Sequence, residues 1–379
     1  MSGGVDSAVA AALLVRQGYD VVGVTLNVWP RYQPAEQESR HDACCSLAAV
    51  DDARRVADTL GLAHYTLNFR DIFEHTVIED FVAEYRRGRT PNPCIRCNEH
   101  VKFGALLRRA LALDADFIAT GHYARVTYDA GRGRYLLLRG VDAGKDQSYA
   151  LYTLTQQQLS RVLFPLGGLR KEETRALARE YGLPVAAKAE SQEICFVPDD
   201  DYGTFLACHG GLQPLPGAIV DVHGRVLGRH RGVAYYTIGQ RRGLGLATGR
   251  PLYVVAVDAQ RNEIVVGSER DLYADELRAE RVNLIAEAAL AGPTKVTAKI
   301  RSRSADAEAE VSQTDGGELL VRFSAPQRAI TPGQAVVLYL GRVVLGGGTI
   351  ASVVRSSTAW RPQVAGDGQR KRSATDRPS

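Results

Sequence analysis

Two short stretches carry residue types that can do chemistry. In TPNPCIRCN, residues 90–98, Cys94 and Cys97 stand at CxxC spacing beside two prolines, just ahead of a helix that the apolar pattern starts near Val101. A helix N-terminus lowers a nearby thiol pKa from about 8.5 and so raises the share of nucleophilic thiolate. The same spacing also makes half of a structural zinc site, but zinc takes four ligands and the chain has no second CxxC. A third cysteine, Cys195, lies in AESQEICFVP beside Ile194 and Phe196, where it is either a nucleophile or an apolar filler.

The second stretch is MSGGVDS at the start of the chain. Gly3 and Gly4 open backbone angles closed to other residues, and Ser2 and Ser7 add hydroxyl donors around Val5 and Asp6. Asp6 or Ser7 would cap a helix over Ala8–Val15 whose unpaired N–H groups and positive dipole end face the loop. Such a loop suits phosphate, although a plain glycine turn capping a helix has the same composition. It departs from Walker A, since no Gly-Lys-Ser/Thr follows.

These residues need a scaffold. The 379 residues, 45% hydrophobic, suffice for two or three cores. No run of about 18 apolar residues exists and no signal peptide precedes the loop, which predicts a soluble, cytoplasmic protein. A net charge of +4 permits a nucleic-acid partner without requiring one. Six cysteines in such a chain argue for thiol or metal chemistry over a disulfide framework; Cys44, Cys45 and Cys208 have no assignable role and read as structural.

Strand and helix alternate to about residue 195: a β-branched run over Tyr19–Val28, a helix capped by Ser46 and ended by Gly61, a strand at His64–Phe69, helices over Asp71–Arg87 and Val101–Leu113, and a strand at Phe117–Thr120. Beyond Phe196, hairpins turn at His223-Gly224 and near Arg261-Asn262, and from Leu284 a regular alternation predicts a small antiparallel barrel. The expected architecture is an α/β N-terminal domain with a doubly wound parallel sheet (1–195), a small mostly-β central domain (196–282), a C-terminal β-barrel (283–355) and a disordered basic tail (356–379).

SGGVDS resembles the pyrophosphate loop of the N-type ATP pyrophosphatases. With GVTLNVW, NPCIRCN, ATGHYARV, GKDQSYALY, SQEICFVP, YYTIGQRRGLG and TPGQAVVLY, it occurs in the order found in the bacterial tRNA-specific 2-thiouridylases, which the chain resembles almost throughout, up to the tail. In that family the loop follows a buried strand, so an apolar strand of about five or six residues is expected upstream of Met1; the intact mass of natively expressed protein checks this.

The resemblance implies ATP-dependent 2-thiolation of the wobble uridine in lysine, glutamate and glutamine tRNAs. ATP would bind Ser2, Gly3, Gly4, Val5, Asp6 and Ser7, with Leu26 and Gly121 near the adenosine and Asp6 contacting Mg²⁺. Cys195 matches the persulfide carrier and Cys97 its partner, while Asn92, Pro93 and Cys94 would line the pocket of the extruded base. Many members carry Asp where this chain has Cys94, so Cys94, Cys97 and Cys195 could instead hold a 4Fe-4S cluster, which iron and acid-labile sulfide assays would reveal. His122, Lys145, Asp146, Gln147, Arg301 and Gln334 match tRNA-contact positions, although Ser302 replaces an aromatic residue common beside Arg301. From composition alone, residues 145–147 read as a solvated turn. Arg229, Arg231, Tyr235, Tyr236, Arg241 and Arg242 suit phosphate binding and base stacking, or make an ordinary charged hairpin. The implied partners are tRNA and a sulfur donor (a cysteine desulfurase, a sulfur-relay protein or free sulfide), with no membrane, and the chain is expected to be a monomer. A small-molecule ligase with the same loop, or a non-catalytic RNA-binding or redox protein, are the alternatives.

Overall fold

The computed structural model describes residues 1–28, 47–189, 194–197, 201–211 and 215–354. Ser46, Cys44, Cys45 and the basic tail lie outside the described residues.

The first helix runs Val5–Arg16, and its N-cap is Gly4 in an extended conformation, not Asp6 or Ser7 as expected. Seven of its residues, six of them valine or alanine, are buried. These small side chains bring the helix close to Tyr123, Leu166, Ala178 and Val185 in one apolar cluster. Strand Gly23–Asn27 pairs in parallel with His64–Asn68, and Ile118–Ala119 pairs in parallel with Val162–Leu163. This parallel α/β arrangement is what the strand–helix alternation predicts.

The helix carrying the cysteines departs from expectation. It begins at Pro93 rather than near Val101, and runs as Pro93–Arg96, a π-helical stretch Cys97–Leu106, and Leu107–Leu111. Proline at the first helical position has its φ preset and gives up an N–H that would be unpaired anyway, so Pro93 starts the helix instead of stiffening a loop. Cys94 thus sits in the first turn and Cys97 within the helix. The helix before it also has a π-helical stretch, at Glu74–Ile78.

A hairpin within the N-terminal region, Ala124–Asp129 with Arg134–Arg139, joins the C-terminal sheet through Leu138 opposite Val343. There Tyr273–Leu284, Leu319–Arg328, Ala307–Gln313, Thr294–Lys299, Ala335–Leu340 and Val343–Val354 pair antiparallel in that order, and the last strand pairs with the first to close a six-stranded barrel. Its interior takes Val296, Ala298, Ala309 and Val311 as the alternation predicts, whereas Ala305 lies exposed before its strand begins. Between the two regions, the hairpins Gly217–Asp221/Val226–His230 and Tyr253–Asp258/Glu263–Gly267 form one four-stranded sheet. They turn where expected, with Gly224 at φ +83 and Asn262 at φ +53.

Candidate active site

The loop 2–7 is folded on itself and against its neighbours. The Ser7 hydroxyl donates to Gly4 O at 3.0 Å and lies 3.1 Å from the Ser2 amide, which donates to it. Gly3 takes φ +65, and a Cβ there would stand 2.3 Å from Ala49 O. Gly121 is brought against the same loop, where a Cβ would stand 2.7 Å from the Asp6 carbonyl carbon. The N-cap of the Val5–Arg16 helix, Gly4, makes no side-chain capping hydrogen bond, and the positive end of the helix dipole faces the loop. Leu26 lies on the neighbouring strand Gly23–Asn27.

Asp6 is engaged more heavily than expected. Lys171 Nζ donates to its two oxygens at 2.6 and 2.8 Å, and the Tyr123 hydroxyl donates to Oδ1 at 3.0 Å. A Mg²⁺ contact at Asp6 would share a carboxylate that Lys171 and Tyr123 already engage. Lys188 Nζ donates to Gly3 O at 3.1 Å and to Asp52 Oδ2 at 2.7 Å. Neither lysine was legible in the motif pattern, because each is more than 160 residues from its loop partner.

Asn92 caps the cysteine helix in an extended conformation, and Cys94 is exposed. Asn92, Pro93 and Cys94 share a cleft of about 480 Å³ with Arg231, Tyr235 and Gln334. Cys97 and Cys195, both half-buried, pack against one aromatic cluster. Phe196 anchors the Cys195 segment there, its ring centroid 5.4 Å from both Phe73 and Phe81 and 5.2 Å from Phe205. Among the described residues no group of three His, Cys, Asp or Glu side chains is placed to hold a metal ion.

The expected RNA contacts divide. Asp146 accepts from the amides of Gly140 and Ser148, at 3.0 and 3.1 Å, and Gln147 Oε1 accepts from the Tyr123 amide at 3.0 Å. Both side chains thus shape the turn that carries Lys145. Arg301 donates to Ala329 O at 2.8 Å and Thr331 Oγ1 at 2.7 Å, and Gln334 donates to Thr90 O at 2.8 Å, which ties the barrel to the cysteine segment. Tyr236 is buried in the apolar cluster packed on the central sheet and cannot stack on a base. Arg229, Arg241 and Arg242 are exposed, and the exposed Arg231 places its guanidinium 4.2 Å from the Tyr235 ring centroid. Cys208 is exposed as well.

His122 pairs with Thr120 Oγ1 at 2.7 Å between the rings of Phe103 and Phe164. Burial, with Lys102 adding to it, holds its imidazole well below 6.5, so it is neutral at pH 7. The unfolded chain then binds more protons than the folded one below pH 6.5, and stability falls as pH drops through that value. His122→Gln is expected to flatten this acid limb, read from melting temperatures between about pH 7.5 and 5.5.

The family model described as tRNA methyl transferase HUP domain matches residues 1–199. The PRC-barrel domain of the same series matches 203–268, and an aminomethyltransferase beta-barrel domain matches 274–350. A tRNA-specific 2-thiouridylase of Moorella thermoacetica is 57% identical over 94% of this chain and 99% of its own length. The chain belongs to the tRNA-specific 2-thiouridylases. Further thiouridylases, from Heliobacterium modesticaldum and Acetivibrio thermocellus, are 55% and 52% identical, each over 92% of this chain and over 91% and 97% of their own lengths. Among solved structures, a U34-tRNA thiolase from Methanococcus maripaludis covers 56% of this thiouridylase-family chain and 62% of its own, at 18% identity and a TM-score of 0.31, too slight a likeness to argue from. Among the described residues no helix is long and apolar enough to cross a membrane.

Proposed function

We propose that this thiouridylase replaces the C2 oxygen of the wobble uridine in lysine, glutamate and glutamine tRNAs with sulfur, at the cost of ATP. The observation that carries the reading is the placement of Cys94 on an open cleft beside the Arg231–Tyr235 pair, with Cys97 and Cys195 on one aromatic cluster.

ATP occupies the loop 2–7 as substrate with its Mg²⁺, Leu26 and Gly121 flanking the adenosine. The uridine C2 oxygen attacks the α-phosphate and pyrophosphate leaves. This adenylation is needed because a carbonyl oxygen is a very poor leaving group. Asn92, Pro93 and Cys94 receive the extruded base. Cys195 carries a persulfide supplied by a desulfurase or relay protein. The Cys97 thiolate attacks the inner sulfur, a Cys97–Cys195 disulfide forms and hydrosulfide leaves; hydrosulfide adds at C2, AMP departs, and a thiol reductant restores the cysteines. His122, neutral at pH 7, is a hydrogen-bonding group near the base rather than an acid. Lys145, Arg301 and Gln334 contribute to the tRNA surface, the latter two by fixing the cleft wall, and Asp146 and Gln147 by shaping the turn of Lys145.

AMP formation from ATP, with and without unmodified lysine tRNA, tests this against its rivals. The account predicts tRNA-stimulated AMP release; a small-molecule ligase would ignore tRNA, and a pure binder would make no AMP. Tyr235→Ala is expected to raise the KM for tRNA about tenfold with kcat changed less, since stacking on one base is worth about 1–3 kcal/mol.

A further inference from the structure

The loop Ser2–Ser7 contains no cationic side chain. The β,γ-pyrophosphate of ATP is multiply anionic, and a helix dipole offers only about half an elementary charge. Walker-type loops meet this need with a lysine of their own. Here two lysines from distant segments reach the loop, one on each side of it. Lys171 opens the helix Lys171–Glu180, its side chain only 11% exposed, with Nζ on both oxygens of Asp6. Lys188 rests its Nζ on Gly3 O and on Asp52 of the helix Leu47–Leu60.

A lysine as buried as Lys171 is stable only when paired, and Asp6 holds it; Lys188, more exposed, is held by Asp52. In both cases the ammonium sits at the rim of the anion loop and touches a loop atom directly. A phosphate entering the loop competes with Asp6 for Lys171 and has the larger charge.

We infer that Lys171 and Lys188 are the cations that bind the pyrophosphate of ATP in this loop, and that Lys171 exchanges its resting partner, Asp6, for phosphate when the nucleotide enters. This rests on the ATP reading of the loop and adds the groups that receive the leaving group. As the bond to the α-phosphate breaks, negative charge grows on the departing pyrophosphate, and ammonium groups already in place stabilise it without reorganisation.

Calorimetric titration of the full chain with inorganic pyrophosphate and, separately, with AMP tests the assignment. Lys171→Met and Lys188→Met are each expected to weaken pyrophosphate binding about tenfold or more, the worth of one charge-assisted hydrogen bond, and to leave AMP binding within about twofold. Lys171→Arg is expected to recover part of the loss. The double variant Asp6→Asn/Lys171→Met removes the ion pair without leaving a bare carboxylate. If Lys171 merely balances Asp6, this variant binds pyrophosphate like the wild type, which would overturn the inference; if Lys171 binds phosphate, the affinity stays low. Parallel loss of pyrophosphate and AMP binding, with a lowered melting temperature, would assign the lysines to the loop's shape and also overturn it. Wild-type protein that binds neither ATP nor pyrophosphate would bring down the ATP reading itself, and the inference with it.

Discussion

Cys97→Ser is expected to abolish tRNA thiolation, by about 10³-fold or more, while ATP is still converted to AMP. Serine nearly matches cysteine in size, so the half-buried position against the aromatic cluster should tolerate it with little loss of stability. What it removes is the thiolate, and a hydroxyl at neutral pH neither attacks a persulfide nor closes a disulfide. Cys195→Ser removes the carrier and is expected to be equally silent. Cys94→Ser separates the two cysteine chemistries: in the persulfide account Cys94 lines the base pocket without reacting, so activity should fall only a few-fold. Thiolation of tRNA with anaerobically prepared protein measures all three. Equal loss in the three variants would favour a shared cluster over the persulfide relay.

Gly3→Ala is expected to lower ATP-to-AMP turnover at least about 10²-fold, because small displacements of a positioned substrate carry penalties of that order. The cause is geometric. Gly3 has φ +65, and its added Cβ would stand 2.3 Å from a backbone oxygen of the helix Leu47–Leu60 and 2.9 Å from the Ala49 Cα. Backbone cannot rotate away as a side chain can, so the loop has to shift, and with it the N–H groups that meet the phosphates. The melting temperature should fall as well, since Gly3 is buried and the neighbouring Val5 belongs to the core cluster. Turnover close to wild type would mean that the loop does not hold the reacting phosphate.

Local chemistry was readable from the sequence, and long-range pairing was not. The GG loop followed by an Ala/Val run, the turns at Gly224 and Asn262, and the Val296–Ala298 and Ala309–Val311 alternations each express a preference that neighbouring residues settle among themselves. Pro93 misled because the same fixed φ serves a loop and a first helical turn, and only the buried Ile95 and Phe103 decide between them. The hairpin 124–139 reads like any strand pair, and its place on the barrel is fixed by a partner about two hundred residues later, Val343. At the site, the motif showed which residue types stand together but not how they bond. Asp146, Gln147, Arg301 and Gln334 spend their polar groups inside the protein, and Asp6 spends its carboxylate on Lys171. Such pairings depend on which segments the fold brings together, which spacing along the chain does not encode.

The most direct test of the central claim is nucleoside mass spectrometry of unmodified lysine tRNA. The tRNA would be incubated anaerobically with the protein, ATP, Mg²⁺ and a sulfur source, supplied as a cysteine desulfurase with cysteine and in parallel as sulfide. The account predicts a wobble uridine whose mass shows one oxygen replaced by sulfur, dependent on ATP and, in the desulfurase arm, lost in Cys97→Ser. Folded protein that turns ATP into AMP yet leaves the uridine unchanged with either source would contradict it.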